Sequence, residues 1–190
     1  MKKGIWAVGL VIFPFLLLML GCAGEPTNEL AAAKDALENA RAAEADKYAP
    51  DLFTQAENSI TEAENLIAQK KYGEAKKLLM DAKAVAEQAA SQAGVNKENT
   101  KTEVEDFFAA IDNAMKQLKE TQDLAKQWGI PKKNRELTDE MSGWDQQLKE
   151  ARAGYDSGDY FSAKELTAEI HQQVTTKDSQ LREMIMAKQK

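Results

Sequence analysis

Two side chains in this sequence join reactivity to a distinctive setting: Cys22, the single cysteine, and His171, the single histidine. Hydrolysis or group transfer needs a nucleophile beside a base, paired acids in a cleft, or a metal site. His171 lies in a helical stretch beside Glu169, Gln172 and Gln173. One histidine cannot supply a metal cluster of the usual kind, so a surface position is expected. Asp156-Ser157-Gly158-Asp159 has the composition of a calcium loop, but the acid spacing, the missing glycine at the sixth place and the absent closing glutamate do not fit an EF-hand. A turn is predicted there. The sequence has no Gly-rich phosphate loop, and its glutamates and lysines at three- and four-residue spacing describe solvated helix surfaces. No catalytic, cofactor-binding or metal-ligating residue is therefore predicted, and the chain reads as a non-enzyme.

Cys22 is different because of what precedes it. Met1, Lys2 and Lys3 give a positive start, Gly4 to Leu20 an uncharged apolar core, and Gly21 a small residue before the cysteine, which is the order of a processing signal. The run is short for a spanning helix, which needs roughly 20 apolar residues, and Pro14 interrupts it. Leu18-Met19-Leu20-Gly21-Cys22 resembles the bacterial lipobox, with Met19 where leucine is usual. The resemblance implies cleavage after Gly21 and lipid on Cys22. A lone cysteine at that place fits acylation better than a disulfide. Two or three acyl chains hold a protein on a membrane far more firmly than one. Ala23 is not the aspartate that resembles an inner-membrane retention signal, so in an envelope with two membranes the outer one, with the domain facing the periplasm, is expected. About six residues separate Cys22 from the first helix signals, a tether of at most roughly 20 Å.

Residues 1–21 carry two of the 25 basic residues and no acid, so the processed chain has 23 basic against 31 acidic residues and a net charge of −8. Binding nucleic acid or anionic headgroups requires clustered cations, so neither is an expected partner. Abundant Ala, Glu, Lys, Gln and Leu, few Pro and Gly, and no valine-rich strands predict an all-α fold. Apolar stripes at helical spacing predict helices from Asn28 to about Lys47, from Pro50 past Ile67, from Tyr72 to Gly94, from Thr102 to Trp128, through Leu137–Tyr155, and from Tyr160 to a frayed end weakened at Val174-Thr175-Thr176. Gly94 is expected to end the third helix, residues 95–101 to form a polar connection, and Thr102 with Glu105 to cap the fourth.

An offset of 88 residues relates the halves. Lys70-Lys71-Tyr72-Gly73-Glu74-Ala75 lies over Gly158-Asp159-Tyr160-Phe161-Ser162-Ala163, and Ile60 over Leu148, Ala63 over Ala151, Leu30 over Leu118. Repeat one is placed at about 28–94 and repeat two at about 102–188, within one helical domain after the tether at 22–27. Two three-helix units then make an antiparallel bundle or a short solenoid. Each Tyr-x-x-Ala turn predicts a hairpin in which Tyr72 or Tyr160 wedges between helices. Ala75 or Ala163, facing Ala63 or Ala151, would let the backbones approach. The pattern resembles a tetratricopeptide hairpin, although Ile170 stands where the first copy has Ala82 and the period is not the usual 34 residues.

Over roughly Leu30 to Ala90, Ala31-Ala32-Ala33-Lys34, Tyr48-Ala49-Pro50-Asp51-Leu52, Ala56, Ala63, Tyr72, Ala75 and Ala82 resemble a family of bacterial envelope lipoproteins whose shared helical domain has no assigned function. Some of its members continue into an OmpA-like peptidoglycan-binding domain. This chain continues into more helix, so peptidoglycan binding is not implied. Phe107, Phe108, Trp128, Trp144, Tyr155, Tyr160 and Phe161 place most aromatics in the second half, as a thicker core or a partner groove. The expected function is a membrane-anchored scaffold or accessory module for an envelope protein. The alternative is a periplasmic carrier that encloses a small apolar ligand in the bundle.

Overall fold

A computed structural model describes residues 24–189, with 131–135 as backbone only. The predicted signal segment 1–21 and the predicted lipid site Cys22 lie outside the described residues. Six helices and no strands occur among the described residues: α1 Thr27–Ala42, α2 Ala45–Tyr48, α3 Pro50–Ala68, α4 Tyr72–Gln127, α5 Pro131–Ser157 and α6 Tyr160–Lys188. The fold is an all-α helical bundle.

Local chemistry explains most boundaries. Pro50 and Pro131 open α3 and α5, where the missing N–H and fixed φ of proline cost nothing. Asp159 caps α6, its carboxylate accepting the Ser162 N–H at 3.3 Å. Three helices close on the same paired hydrogen bonds around a left-handed residue. In α3, Lys71 N–H reaches Leu66 C=O (2.9 Å) and Lys70 N–H reaches Ile67 C=O (2.8 Å). In α4 the donors are Ile130 and Gly129, and in α5 they are Asp159 and Gly158. The left-handed residues are Lys70 (φ 61), Gly129 (φ 67) and Gly158 (φ 86).

The first predicted helix is shorter than expected. At Glu44 the backbone turns left-handed (φ 58), and Ala45–Tyr48 forms a separate single turn. The larger correction concerns residues 94–102. Gly94 does not end a helix, residues 95–101 are not a loop, and Thr102 does not cap. The chain runs as one 56-residue helix, α4, about 84 Å long. Inside it the Thr102 hydroxyl donates back to the Glu98 carbonyl at 3.2 Å. The Val174-Thr175-Thr176 stretch is likewise continuous helix, its Thr175 hydroxyl bonding the His171 carbonyl at 2.8 Å.

α4 belongs to both halves. Its first part is the third helix of an up-down-up unit with α1 and α3, and its second part is the first helix of a unit with α5 and α6. Glu29 pairs with Lys76 at 2.5 Å, so α1 starts beside the start of α4. Lys188 donates to the carbonyls of Trp128 and Gly129 at 3.0 and 2.8 Å, so α6 ends where α4 ends. Two core clusters result, one running from Ala33 to Ala93 and the other from Val104 to Ile185.

Under the 88-residue shift many buried positions fall on buried positions, and several are larger in the second copy: Ala56 and Trp144, Ala82 and Ile170, Ala86 and Val174, Ala93 and Leu181. Helix separation follows the side chains at the contact. The first half is thus an alanine-tight bundle and the second a thicker one. Trp128, placed on the core face by the periodicity, is instead 43% exposed at the end of α4, and Phe161 is 38% exposed.

Candidate functional site

The sequence-predicted hairpin residues sit at the helix turns. Ala63, Ala75, Ala151 and Ala163 are fully or almost fully buried, while Tyr72 and Tyr160 are half-buried at the first turns of α4 and α6. In the second hairpin a β-carbon added at Gly154 would stand 3.8 Å from that of Ala163, so α5 and α6 approach closely there. Tyr160 packs its ring 5.2 Å from Tyr155, and Tyr155 meets Phe108 edge-on at 5.9 Å. His171 is half-buried with its ring 6.0 Å from Phe107, rather than on the open surface. Among the described residues no group of three His, Cys, Asp or Glu side chains could hold a metal ion. No described helix is long and apolar enough to cross a membrane.

A cluster of polar and aromatic groups lies where the halves meet, around Tyr48. The left-handed turn at Glu44 sets the α2 turn against the middle of α4, and Tyr48 is buried there. Asn96 donates to the Tyr48 carbonyl at 2.6 Å. Lys97 lies 5.8 Å from the Tyr48 ring centre and binds the Glu44 carboxylate, which Lys47 also reaches at 3.2 Å. From the other half, the Phe161 N–H donates to the Tyr48 phenol oxygen at 3.1 Å, and the Phe161 ring stands edge-on to Tyr48 at 6.1 Å. The N–H is one of the orphan donors at the start of α6.

The charges at this joint are settled by their partners. The Lys97 ammonium bonded to Glu44 holds that carboxyl below its ordinary range, and Glu44 in turn raises Lys97 and Lys47. Burial pushes the Tyr48 phenol upward, against the opposing bond from Phe161. Hydrogen bonding from Ser162 lowers Asp159. A second phenol, Tyr155, donates to Glu105 and is raised to about 12.

Beside Tyr48 a cleft of about 520 Å³ opens to solvent, lined by Lys47, Asn96, Asn99, Glu103, Phe161 and Lys164 among others. Amide, ammonium, carboxylate and aromatic groups alternate around it. The arrangement can hold two helical units together and can receive polar groups. Sequence reasoning assigned nothing to Tyr48, Asn96 or Lys97. The available signal was Tyr48 within Tyr-Ala-Pro-Asp-Leu, and a polar stretch that reads as a loop.

No curated protein and no solved structure matches this chain. Residues 28–107 match a family model described as a domain of unknown function (DUF4398), so the chain is similar to that family from the start of α1, across the Tyr48 joint, to Phe107 in α4.

Proposed function

We propose that this protein is a non-enzymatic lipoprotein, anchored through lipid on Cys22, that serves as a scaffold or accessory module for another protein of the bacterial cell envelope. The outer membrane, with the helices in the periplasm, is the location that Ala23 after the cysteine favours. The observation that carries the reading is the polarity of the molecule. α1 begins only a few residues after Cys22, beside the start of α4. At the far end of that roughly 84 Å helix, Leu124, Trp128 and Met186 are exposed. A short tether at one end and exposed large apolar side chains at the other suit a spacer that presents a contact away from its membrane. A carrier would need an enclosed apolar chamber, and the fully buried alanines of the first half favour close helix contact over such a chamber.

Two measurements test this. Replacing Cys22 by Ser is expected to release the protein from the membrane fraction; an uncut, membrane-bound C22S protein rejects the anchor. A photo-crosslinking residue at Trp128 or Met186 in the lipidated protein is expected to capture one recurrent envelope protein. Adducts only with abundant neighbours reject the scaffold reading.

A further inference from the structure

The middle of α4 is helix built from residues that make poor helix. Residues 94–102 read Gly-Val-Asn-Lys-Glu-Asn-Thr-Lys-Thr, and Gly, Val, Asn and Thr all fall well below Ala in helix preference. Gly94 has no packing reason to be glycine: a β-carbon there would meet nothing within 4 Å. The hydroxyls of Thr100 and Thr102 bond back to the carbonyls of Asn96 and Glu98, an arrangement that weakens and bends helices.

Core packing does not make up the deficit. The first core cluster ends at Ala93 and the second begins at Val104. Between them only Thr100 is buried. Support comes from the side, through the bond from Asn96 to the Tyr48 carbonyl, the Lys97 to Glu44 pair, and the contact of Lys97 with the Tyr48 ring. Tyr48 is in turn tied to the second half through the N–H and ring of Phe161. Tyr48 is the residue common to the supports of this segment and the contact between the two halves.

We infer that residues 94–102 are a hinge in α4, held straight by the joint between Tyr48 and Phe161, and that opening the joint lets the second half swing on the first. α4 is the element shared by the two cores, so a bend between Ala93 and Val104 moves each half as a unit and leaves both clusters packed. Opening exposes the Tyr48 ring and the start of α6, and enlarges the cleft beside them.

Hydrogen exchange of the full chain, read segment by segment, tests the hinge. The double variant Y48F/F161A removes the phenol oxygen and the partly exposed Phe161 ring while keeping the ring at position 48 in place. Exchange of amides 94–102 is expected to rise about tenfold, the combined loss of one hydrogen bond and one ring contact. Amides 79–89 and 108–118 are expected to keep their protection. Adding Gly94→Ala is expected to slow exchange of the segment about fivefold, the helix difference between Gly and Ala. Unchanged exchange at 94–102 in Y48F/F161A overturns the joint. A rise in all three segments together overturns the hinge, because it reports unfolding of the whole molecule. No slowing by Gly94→Ala overturns the role of the segment's own sequence.

Discussion

The backbone N–H of Phe161 donates a 3.1 Å hydrogen bond to the phenol oxygen of Tyr48, 113 residues earlier in the chain. The phenol thereby satisfies a donor that the start of α6 would otherwise leave to water. The single substitution Tyr48→Phe keeps the ring and deletes that acceptor. It is expected to cost about 1 kcal/mol, the net worth of one such bond, and to lower the melting temperature by about 2–4 °C for a chain of this size. Thermal unfolding followed by circular dichroism checks it, and a melt at the wild-type temperature removes the bond from the account of stability.

Lys70 and Gly158 occupy equivalent turns 88 residues apart, both with positive φ. A side chain in that backbone region is strained by roughly 1–2 kcal/mol, a cost glycine avoids. Lys70→Gly should therefore stabilise the protein by about 1 kcal/mol, and Gly158→Ala should destabilise it by a similar amount. Chemical denaturation of both variants gives the two signs. A destabilised Lys70→Gly protein would mean that the lysine side chain contributes more than its backbone costs.

Ala82 and Ile170 are both completely buried at equivalent places, and they are expected to resist opposite changes. Ile170→Ala leaves a hole in the thicker half and is expected to cost about 2–5 kcal/mol. Ala82→Ile forces a branched side chain into the alanine-tight half, with an expected cost of about 1–3 kcal/mol. Equal tolerance of Ala and Ile at both positions, measured by urea unfolding, would show that the two halves are packed alike.

Glu105 holds the Tyr155 phenol protonated up to about 12. The folded value lies above the ordinary 10.0, so this bond contributes its stability below about pH 10 and loses it as pH rises toward 12. Spectrophotometric titration of tyrosinate should show a phenol titrating near 12, besides the raised Tyr48, and Glu105→Gln should bring the transition near 12 back toward 10. A titration curve that Glu105→Gln does not alter would place the late phenol elsewhere.

Glu44 titrates in the opposite sense. Its carboxyl is lowered by Lys97 and Lys47, so the stabilisation is present above the ordinary value of 4.5 and fades as pH falls through the lower folded value. Glu44→Gln is expected to lower the neutral plateau of a stability–pH curve and to leave its acid end unchanged, so that the acid limb is less steep. An acid limb as steep as the wild type's would assign the acid sensitivity to other carboxyls.

The helical stripes, the proline start at Pro50, and the turn at Gly158-Asp159 were legible because each depends on neighbours within a few residues. Residues 94–102 were not. Their local preferences describe a break, and the groups that override them, Tyr48 and Glu44, lie about 50 residues away in sequence. The left-handed turn at Glu44 was hidden for a related reason, since glutamate carries no signal for positive φ. Trp128 matched the apolar periodicity of α4, but it stands at the helix C-terminus, where periodicity continues after the core has ended. The partners of Tyr48 could not be read from spacing at all, because Phe161 is distant in sequence and donates through its backbone.

The sharing of α4 makes the angular phase between the halves a matter of arithmetic. Each residue of a helix advances about 100° and 1.5 Å, so deleting one residue between Ala93 and Val104 would turn Phe161 away from Tyr48 by more than a quarter of a revolution. Inserting seven residues would come back to within about 20° of the original direction, but some 10 Å farther along the axis. The length of this middle stretch is therefore fixed as strictly as the identity of any buried side chain, although scarcely one of its residues is buried.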